Sequence, residues 1–236
     1  GLKAWATQGD PRQAITLENL LQMASGLDSG EKGSRSDQIY FGGGSVDEHA
    51  MNRSLEVAPG TRFKYANDDT LLAMRTLREK FPSVADYNAF PKAAVLDRLG
   101  MNSTSMETDW RGNFVSSSQV WTTARDLAKL GQLYLNDGVW AGQRILPEGW
   151  ANYVAAPTGP QPENGNGYGA QFWLPKGKDG LPEDVYMAAG HRGQYVVIIP
   201  SENMVIVRRG YDQSGGPGGF EITKFTADVL AAMKDA

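Results

Sequence analysis

Two hydrophobic periods divide this chain. Behind Thr16, a suitable N-cap, Leu17, Leu20, Leu21 and Ala24 recur at helical spacing, with Gly26 placed as a stop. The pattern predicts a short helix over 47–55. Another starts at the carboxylates Asp68 and Asp69, which suit the positive end of a helix dipole. It runs through Leu71, Leu72, Met74 and Leu77 and ends before Pro82. A helix over 85–99 is closed by Gly100. A stronger one opens at Thr123 and Asp126, a capping-box variant, turns Leu127, Leu130, Leu133 and Tyr134 inward, and stops near Asn136, Asp137 and Gly138. Pro147 starts a further short helix. The stretch 157–167 is rich in Pro, Gly and Asn and reads as a linker. Beyond it the period is that of strands, at 168–174, 184–189, 194–199 and 204–209. The last two flank Pro200, Ser201, Glu202 and Asn203, which is turn chemistry, and predict an antiparallel hairpin. A closing amphipathic helix from about 219 carries Phe220, Phe225, Val229 and Met233. The expected fold is α+β: a mainly helical region over 1–160, then an antiparallel sheet over 161–236 with the C-terminal helix packed on it.

Two loops carry candidate chemistry. Residues 28–45 are rich in Gly, Ser and charge and read as a long surface loop. Within it, Ser29 and Lys32 match the pattern S-x-x-K. That spacing activates a serine only where one helical turn brings the lysine onto it, and Gly30 and Gly33 argue against such a helix. The second is Gly190-His191-Arg192-Gly193, just ahead of the apolar run from Tyr195 to Ile199. Glycine in a strand pattern marks a bulge or a close backbone approach, often to a ligand. An ordinary hairpin with a glycine bulge is the other reading.

Composition narrows the classes. The 236 residues suffice for one large domain or two small ones with a substantial core. A net charge of -4 with mixed signs does not point to nucleic acid or an anionic membrane. No apolar run approaches the ~18–20 residues of a membrane helix, and Gly1-Leu2-Lys3-Ala4-Trp5 has no signal-peptide pattern. The first residue is not Met, as in a mature, cleaved or truncated product. Without cysteine there are no disulfides, thiolate nucleophiles or Cys-ligated metals. The two histidines, His49 and His191, are far apart, so no metal site and no cofactor are expected.

In order, several stretches form a recognisable set. They are residues 15–27 with the pattern I-T-L-x-x-L-L-x-x-x-S-G-L, Pro59-Gly60 followed by Tyr65-Ala66-Asn67, Leu99-Gly100-Met101, Thr123-Ala124-Arg125-Asp126-Leu127, and Gly190-His191-Arg192-Gly193-Gln194. This set resembles the serine β-lactamase-related hydrolases of the class C and penicillin-binding type, which include β-lactamases, D-alanyl-D-alanine peptidases, esterases and an oligomer-cleaving amidase. Tyr65-Ala66-Asn67 stands where that family has Y-x-N, and residues 190–194 where it has K-T-G or H-x-G. The resemblance covers nearly the whole chain and implies a β-lactamase/transpeptidase-like fold and a periplasmic or secreted location.

The mechanism so implied is acyl transfer by a serine that a lysine one helical turn later helps to activate. Tyr65 would relay the nucleophile's proton, although a phenol of pKa ~10 is a poor base without a nearby cation. Asn67 would orient the substrate amide or the lysine. His191, Arg192 and Gly193 would line the strand edge, Gly193 admitting the substrate backbone. The N–H of Gln194 would be one of two oxyanion donors. Tyr65 and Asn67 are then expected to face 191–194 across one cleft. The sequence departs from the family in one respect: S-x-x-K belongs upstream of the I-T-L helix, and residues 1–14 contain no serine. The resemblance therefore implies that a segment ahead of this chain, or a second chain, supplies the serine and lysine with the first strands. The substrate would be a small or peptide-like carbonyl compound: a β-lactam, ester or amide. Two alternatives remain, a non-catalytic homologue that holds a peptidoglycan-type or peptide ligand, and a complete enzyme using Ser29 and Lys32.

Overall fold

The computed structural model describes residues 2–29, 36–213 and 219–234. They form two compact units, Gly1–Thr122 with Thr158–Pro162, and Thr123–Pro157 with Glu163–Ala236. In the first, Thr16 and Asn19 exchange side-chain and backbone hydrogen bonds in a full capping box at the start of α1 (Leu17–Leu21). The helix is shorter than expected, ending before Met23, which takes a left-handed φ of 57°. Gly26 is not its stop. The Gly26 carbonyl accepts from the N–H groups of Glu56 and Val57, and a Cβ at Gly26 would lie 2.3 Å from the Val57 oxygen. That close backbone approach, together with φ 77°, is what requires glycine.

The expected loop at 28–45 contains α2 (Asp37–Tyr40), and Ser29, Ser36 and Ser45 are buried rather than on the surface. Ser45 and Glu48 make a second capping box at α3 (Val46–His49), so the helix expected over 47–55 is a single turn. Next come α4 (Asn67–Arg78) and α5 (Val84–Pro91). Pro91 has no N–H to donate back along the helix, and the chain widens into a π turn at Lys92–Leu96. After α6 (Asp97–Leu99), Gly100 closes the run at φ 64°, as expected. Strands β1 (Ser105–Met106) and β2 (Val120–Trp121) pair antiparallel. The core gathers Trp5, Ile15, Leu20, Leu27, Val46, Leu71 and Leu72, and the Trp5 indole N–H donates to the Met51 carbonyl at 3.1 Å.

In the second unit Thr123 caps α7 (Ala124–Leu135), accepting from the Asp126 N–H. The Asp126 carboxylate pairs with Lys129 at 3.0 Å. A small hairpin, β3 (Val139–Trp140) with β4 (Gln143–Arg144), leads to α8 (Trp150–Val154). The strand expected over 168–174 is instead a tight hairpin, β5 (Gly167–Tyr168) with β6 (Trp173–Leu174), turned by Gln171 at φ 66°. Then follow β7 (Tyr186–Gly190), β8 (Gln194–Ile199) and β9 (Met204–Arg208). Among the described residues these make a five-stranded antiparallel sheet in the order β5-β6-β7-β8-β9.

Helices cover both faces of that sheet, so β8 reads as a continuous apolar run. Val196 and Val205 point to α7, which approaches at Gly131; a Cβ there would lie 2.5 Å from Val205 Cγ1 and 3.0 Å from Val196 Cγ1. This packing places 123–157 with the sheet, so the chain passes between the compact units after Thr122 as well as within the 157–167 linker. Met187, Val197 and Ile199 point the other way, to α9 (Ile222–Lys234), through Ile222 and Leu230. The buried stripe of α9 is therefore Ile222, Thr223, Thr226 and Leu230, while Phe225 and Met233 are 40% and 62% exposed.

Candidate functional site

Tyr65 lies in the first unit on an extended segment pinned on both sides. The Lys64 N–H donates to the Met23 carbonyl at 2.9 Å, and the Ala66 N–H points at Met23 Sδ at 3.5 Å. Ala66 then serves as N-cap of α4 without a side-chain bond, and Asn67 is the first helical residue, half-buried. The backbone is thus fixed while the Tyr65 side chain stays 43% exposed. Its protein surroundings still push the phenol above its ordinary pKa, which makes it harder to ionise.

Behind Tyr65 and Asn67 the two carboxylates are buried, not solvated at a helix end. Asp68 receives Arg53 Nε at 3.0 Å and is 3.5 Å from Ser36 Oγ. Asp69 accepts the Ser25 hydroxyl at 2.6 Å and the Ser25 N–H at 3.3 Å. Burial raises the Asp69 carboxyl to about 7; the bonds from Ser25 oppose that rise and the neighbouring Asp68 charge adds to it. Tyr40 donates to or accepts from Ser117 Oγ at 2.6 Å, and burial raises its pKa as well. Sequence reasoning saw Asp68 and Asp69 only as dipole partners. The signal it lacked was the pairing of Asp69 with Ser25, the serine of the S-G-L stretch.

Residues 191–194 lie in the second unit, 191–193 as the turn between β7 and β8 and Gln194 as the first residue of β8. Gly190 pairs with Gln194, and Arg192 and Gly193 take φ 60° and 81°. This is a hairpin turn, with His191 exposed. Gly193 is buried, and the space beside its Cα is already filled: a Cβ would lie 2.1 Å from both Arg208 Nη1 and Asp212 Oδ2. Arg208 and Asp212 pair through two bonds of 2.9 and 2.7 Å, and Arg208 Nη1 also donates to the Gly193 carbonyl at 2.8 Å. The protein's own ion pair therefore demands glycine here. That pair holds the Asp212 carboxyl below its usual pKa. The Gln194 side chain is engaged by Arg209 Nε at 2.6 Å and by the Gly210 and Arg192 carbonyls. The Arg192 guanidinium stacks 4.2 Å from the Tyr211 ring centre. Sequence reasoning missed Arg208 and Asp212, which brace the turn from the end of β9.

Of the alternative pair, Ser29 is 3% exposed and Lys32 lies outside the described residues. Among the described residues no three His, Asp or Glu side chains are grouped to hold a metal ion, and no helix is long and apolar enough to cross a membrane.

A family model described as Beta-lactamase matches residues 3–209. An uncharacterized protein of Alkalihalophilus pseudofirmus is 29% identical over 128 residues, which is 48% of this chain and 38% of that protein. A Bacillus anthracis protein provisionally named a 6-aminohexanoate-dimer hydrolase superposes with TM-score 0.73 at 22% identity, over 96% of this chain and 62% of that one. A β-lactamase/D-alanine carboxypeptidase from Yersinia pestis gives TM-score 0.64 at 19% identity, over 98% of this chain and 74% of its own. The chain thus spans less than two thirds of the length of the first two of these proteins.

Proposed function

The chain belongs to the β-lactamase family and has its β-lactamase/transpeptidase-like fold of helices and antiparallel sheets, and on that premise we propose that it is the larger part of a serine hydrolase working through an acyl-enzyme. The substrate is a β-lactam, ester or amide carbonyl. The nucleophilic serine and its lysine come from a segment outside residues 1–236. The observation that carries this reading is Tyr65: its backbone is pinned at Met23 while the residue stays 43% exposed.

In this proposal the serine oxygen attacks the carbonyl carbon and gives its proton to Tyr65. Because the surroundings raise the phenol's pKa, Tyr65 needs the adjacent lysine cation to hold its phenolate. The same proton passes to the leaving nitrogen or oxygen as the bond to the carbonyl carbon breaks. Water then cleaves the ester, with the relay run in reverse. Asn67 orients the substrate amide or the lysine. The Gln194 N–H stabilises the oxyanion, a role whose loss costs ~100- to 1,000-fold in rate. His191 and Arg192 contact the substrate. Gly193 keeps the turn tight around the Arg208–Asp212 pair.

The test is intact mass after incubation with a fluorophosphonate or a penicillin, on residues 1–236 and on a longer product carrying the upstream S-x-x-K. Labelling of the longer product alone, on the upstream serine and slowed at least ~100-fold by Tyr65→Phe, is the expected result. Labelling of the shorter chain at Ser29, lost in Ser29→Ala, would move the nucleophile there. No labelling of either, with retained ligand binding, would make the protein a binding homologue.

A further inference from the structure

The stretch 157–167 holds both Asn-Gly dipeptides of the chain, Asn164-Gly165 and Asn166-Gly167. Asparagine before glycine is prone to a reaction that needs no enzyme. The glycine's backbone nitrogen, once deprotonated, attacks the side-chain carbonyl carbon of the asparagine. Ammonia leaves, and a five-membered succinimide ring remains. Water then opens the ring at either carbonyl and gives aspartate or isoaspartate. Glycine permits this because no side chain crowds its nitrogen and its backbone turns freely. The reaction therefore needs an uncommitted glycine nitrogen, an accessible asparagine amide and room for the backbone to move.

The fold meets these conditions at one dipeptide and withholds them at the other. The stretch is anchored near its start, where Gln22 Nε2 donates to Thr158 Oγ1 at 2.8 Å. It is anchored again at its end, where Gly167 opens β5 opposite Leu174. The Gly169 N–H donates to the Phe172 carbonyl at 2.9 Å, and bonded pairs alternate along an antiparallel ladder, so Gly167 and Leu174 form the next bonded pair. The alternative pattern would need an N–H at position 175, which is Pro175. The Gly167 nitrogen is thus committed to the Leu174 carbonyl, and the side-chain oxygen of Asn166 is buried. Asn164 and Gly165 lie between the anchors, and both are exposed. Gly165 takes φ 91°, and nothing beyond its chain neighbours comes within 4 Å of where a Cβ would stand.

We propose that Asn164 is a site of spontaneous covalent modification, closing onto the Gly165 nitrogen, while β5 protects the neighbouring Asn166. The Asn164 amide and one water become a carboxyl group and ammonia, so no oxidant, reductant or cofactor takes part. The reaction speeds up with pH, because the attacking nitrogen must lose its proton. Aspartate at 164 places a new negative charge beside Glu163. Isoaspartate does so too, and it routes the main chain through the former side chain, one carbon longer. The change falls next to Pro162 and Glu163, where the chain passes from the first unit to the second.

The test is peptide mapping by mass spectrometry after the 1–236 chain has been incubated in warm alkaline buffer made with heavy-oxygen water. Heavy oxygen enters the carboxyl formed from an asparagine only during the incubation, and an isoaspartyl methyltransferase with labelled S-adenosylmethionine reports the isoaspartate. Conversion at 164 is expected to run at least ~10-fold faster than at 166, because Asn166 reacts only when the end of β5 opens. In concentrated urea, which removes β5, the two rates should converge. Equal rates in the folded chain, a difference that persists unchanged in urea, or no conversion at 164 in the folded chain would each overturn the proposal, and none of them depends on a variant that folds.

Discussion

Asp69 shows how far burial, rather than charge pattern, sets the behaviour of a single side chain here. Its folded pKa of about 7 lies above its ordinary value of 3.8. Below the lower value the group is protonated in both states and costs nothing. As pH rises from about 4 to about 7, the unfolded chain ionises while the folded one keeps its proton, so stability falls, by at most ~1.4 kcal/mol per pH unit. The carboxylates with lowered pKa, among them Glu56 and Asp212, act in the opposite sense and at lower pH. Asp69→Asn can keep both contacts to Ser25, because the serine hydroxyl can reverse its role. That variant is expected to flatten the stability profile between pH 4 and 7 and to gain at pH 8, as read by urea midpoints across pH; an unchanged profile would refute it. Gly193 is a second residue at which packing decides, since Arg208 and Asp212 fill the space beside its Cα. Gly193→Ala should lower the melting temperature by roughly 5 °C or more, because the new Cβ displaces Arg208 and Asp212 and the backbone stays at positive φ. A role limited to substrate approach would leave the melting temperature alone and change only the kinetics.

Among the elements, the legible signals were local and the illegible ones were tertiary. Thr16 and Thr123 marked their helices because capping is decided within four residues. Gly26 misled because its conformation answers to Val57, not to the preceding helix. Gln171 hid a turn, since no turn-forming preference flags a glutamine at positive φ. In α9 the inward stripe includes Thr226, whose hydroxyl bonds back to the Ile222 carbonyl at 2.7 Å, so a threonine faces the sheet where a hydrophobic pattern looks for Phe225. In the candidate site, Tyr65 and Asn67 could be found from a short motif, but the Ser25–Asp69 bond spans a separation of 44 positions and leaves no local trace. Gly131 gives the element-scale test. On an exposed helix face, Gly→Ala would stabilise by up to ~1 kcal/mol. At Gly131 the added methyl meets Val205 and Val196 inside contact distance, and overpacking of that kind costs ~1–3 kcal/mol, so the sign is expected to reverse. Chemical denaturation should show Gly131→Ala destabilised, with part of the loss recovered in the double variant with Val205→Ala. A stabilised single variant would mean that α7 does not rest on the sheet at this point.

For the whole molecule, the second unit carries the clearest consequence of the proposed upstream segment. β9 is an edge of the sheet, with β8 as its only strand neighbour among the described residues. Its outward N–H and C=O groups therefore offer a template for another strand. Phe225 and Met233, on the outer side of α9, add exposed apolar surface to the same unit. A strand bonded to β9 would protect its outward amides from exchange, while the amides shared with β8 are protected in either form. Hydrogen exchange on the 1–236 chain should thus show alternating fast and slow amides along Met204–Arg208, and the longer product should show all of them slow. The shorter chain should also self-associate as concentration rises, and Phe225→Lys with Met233→Lys should shift it toward monomer in sedimentation. Equal protection of the outward β9 amides in both forms would show that the upstream segment does not complete this sheet edge, and the nucleophile would then have to reach its substrate by another route.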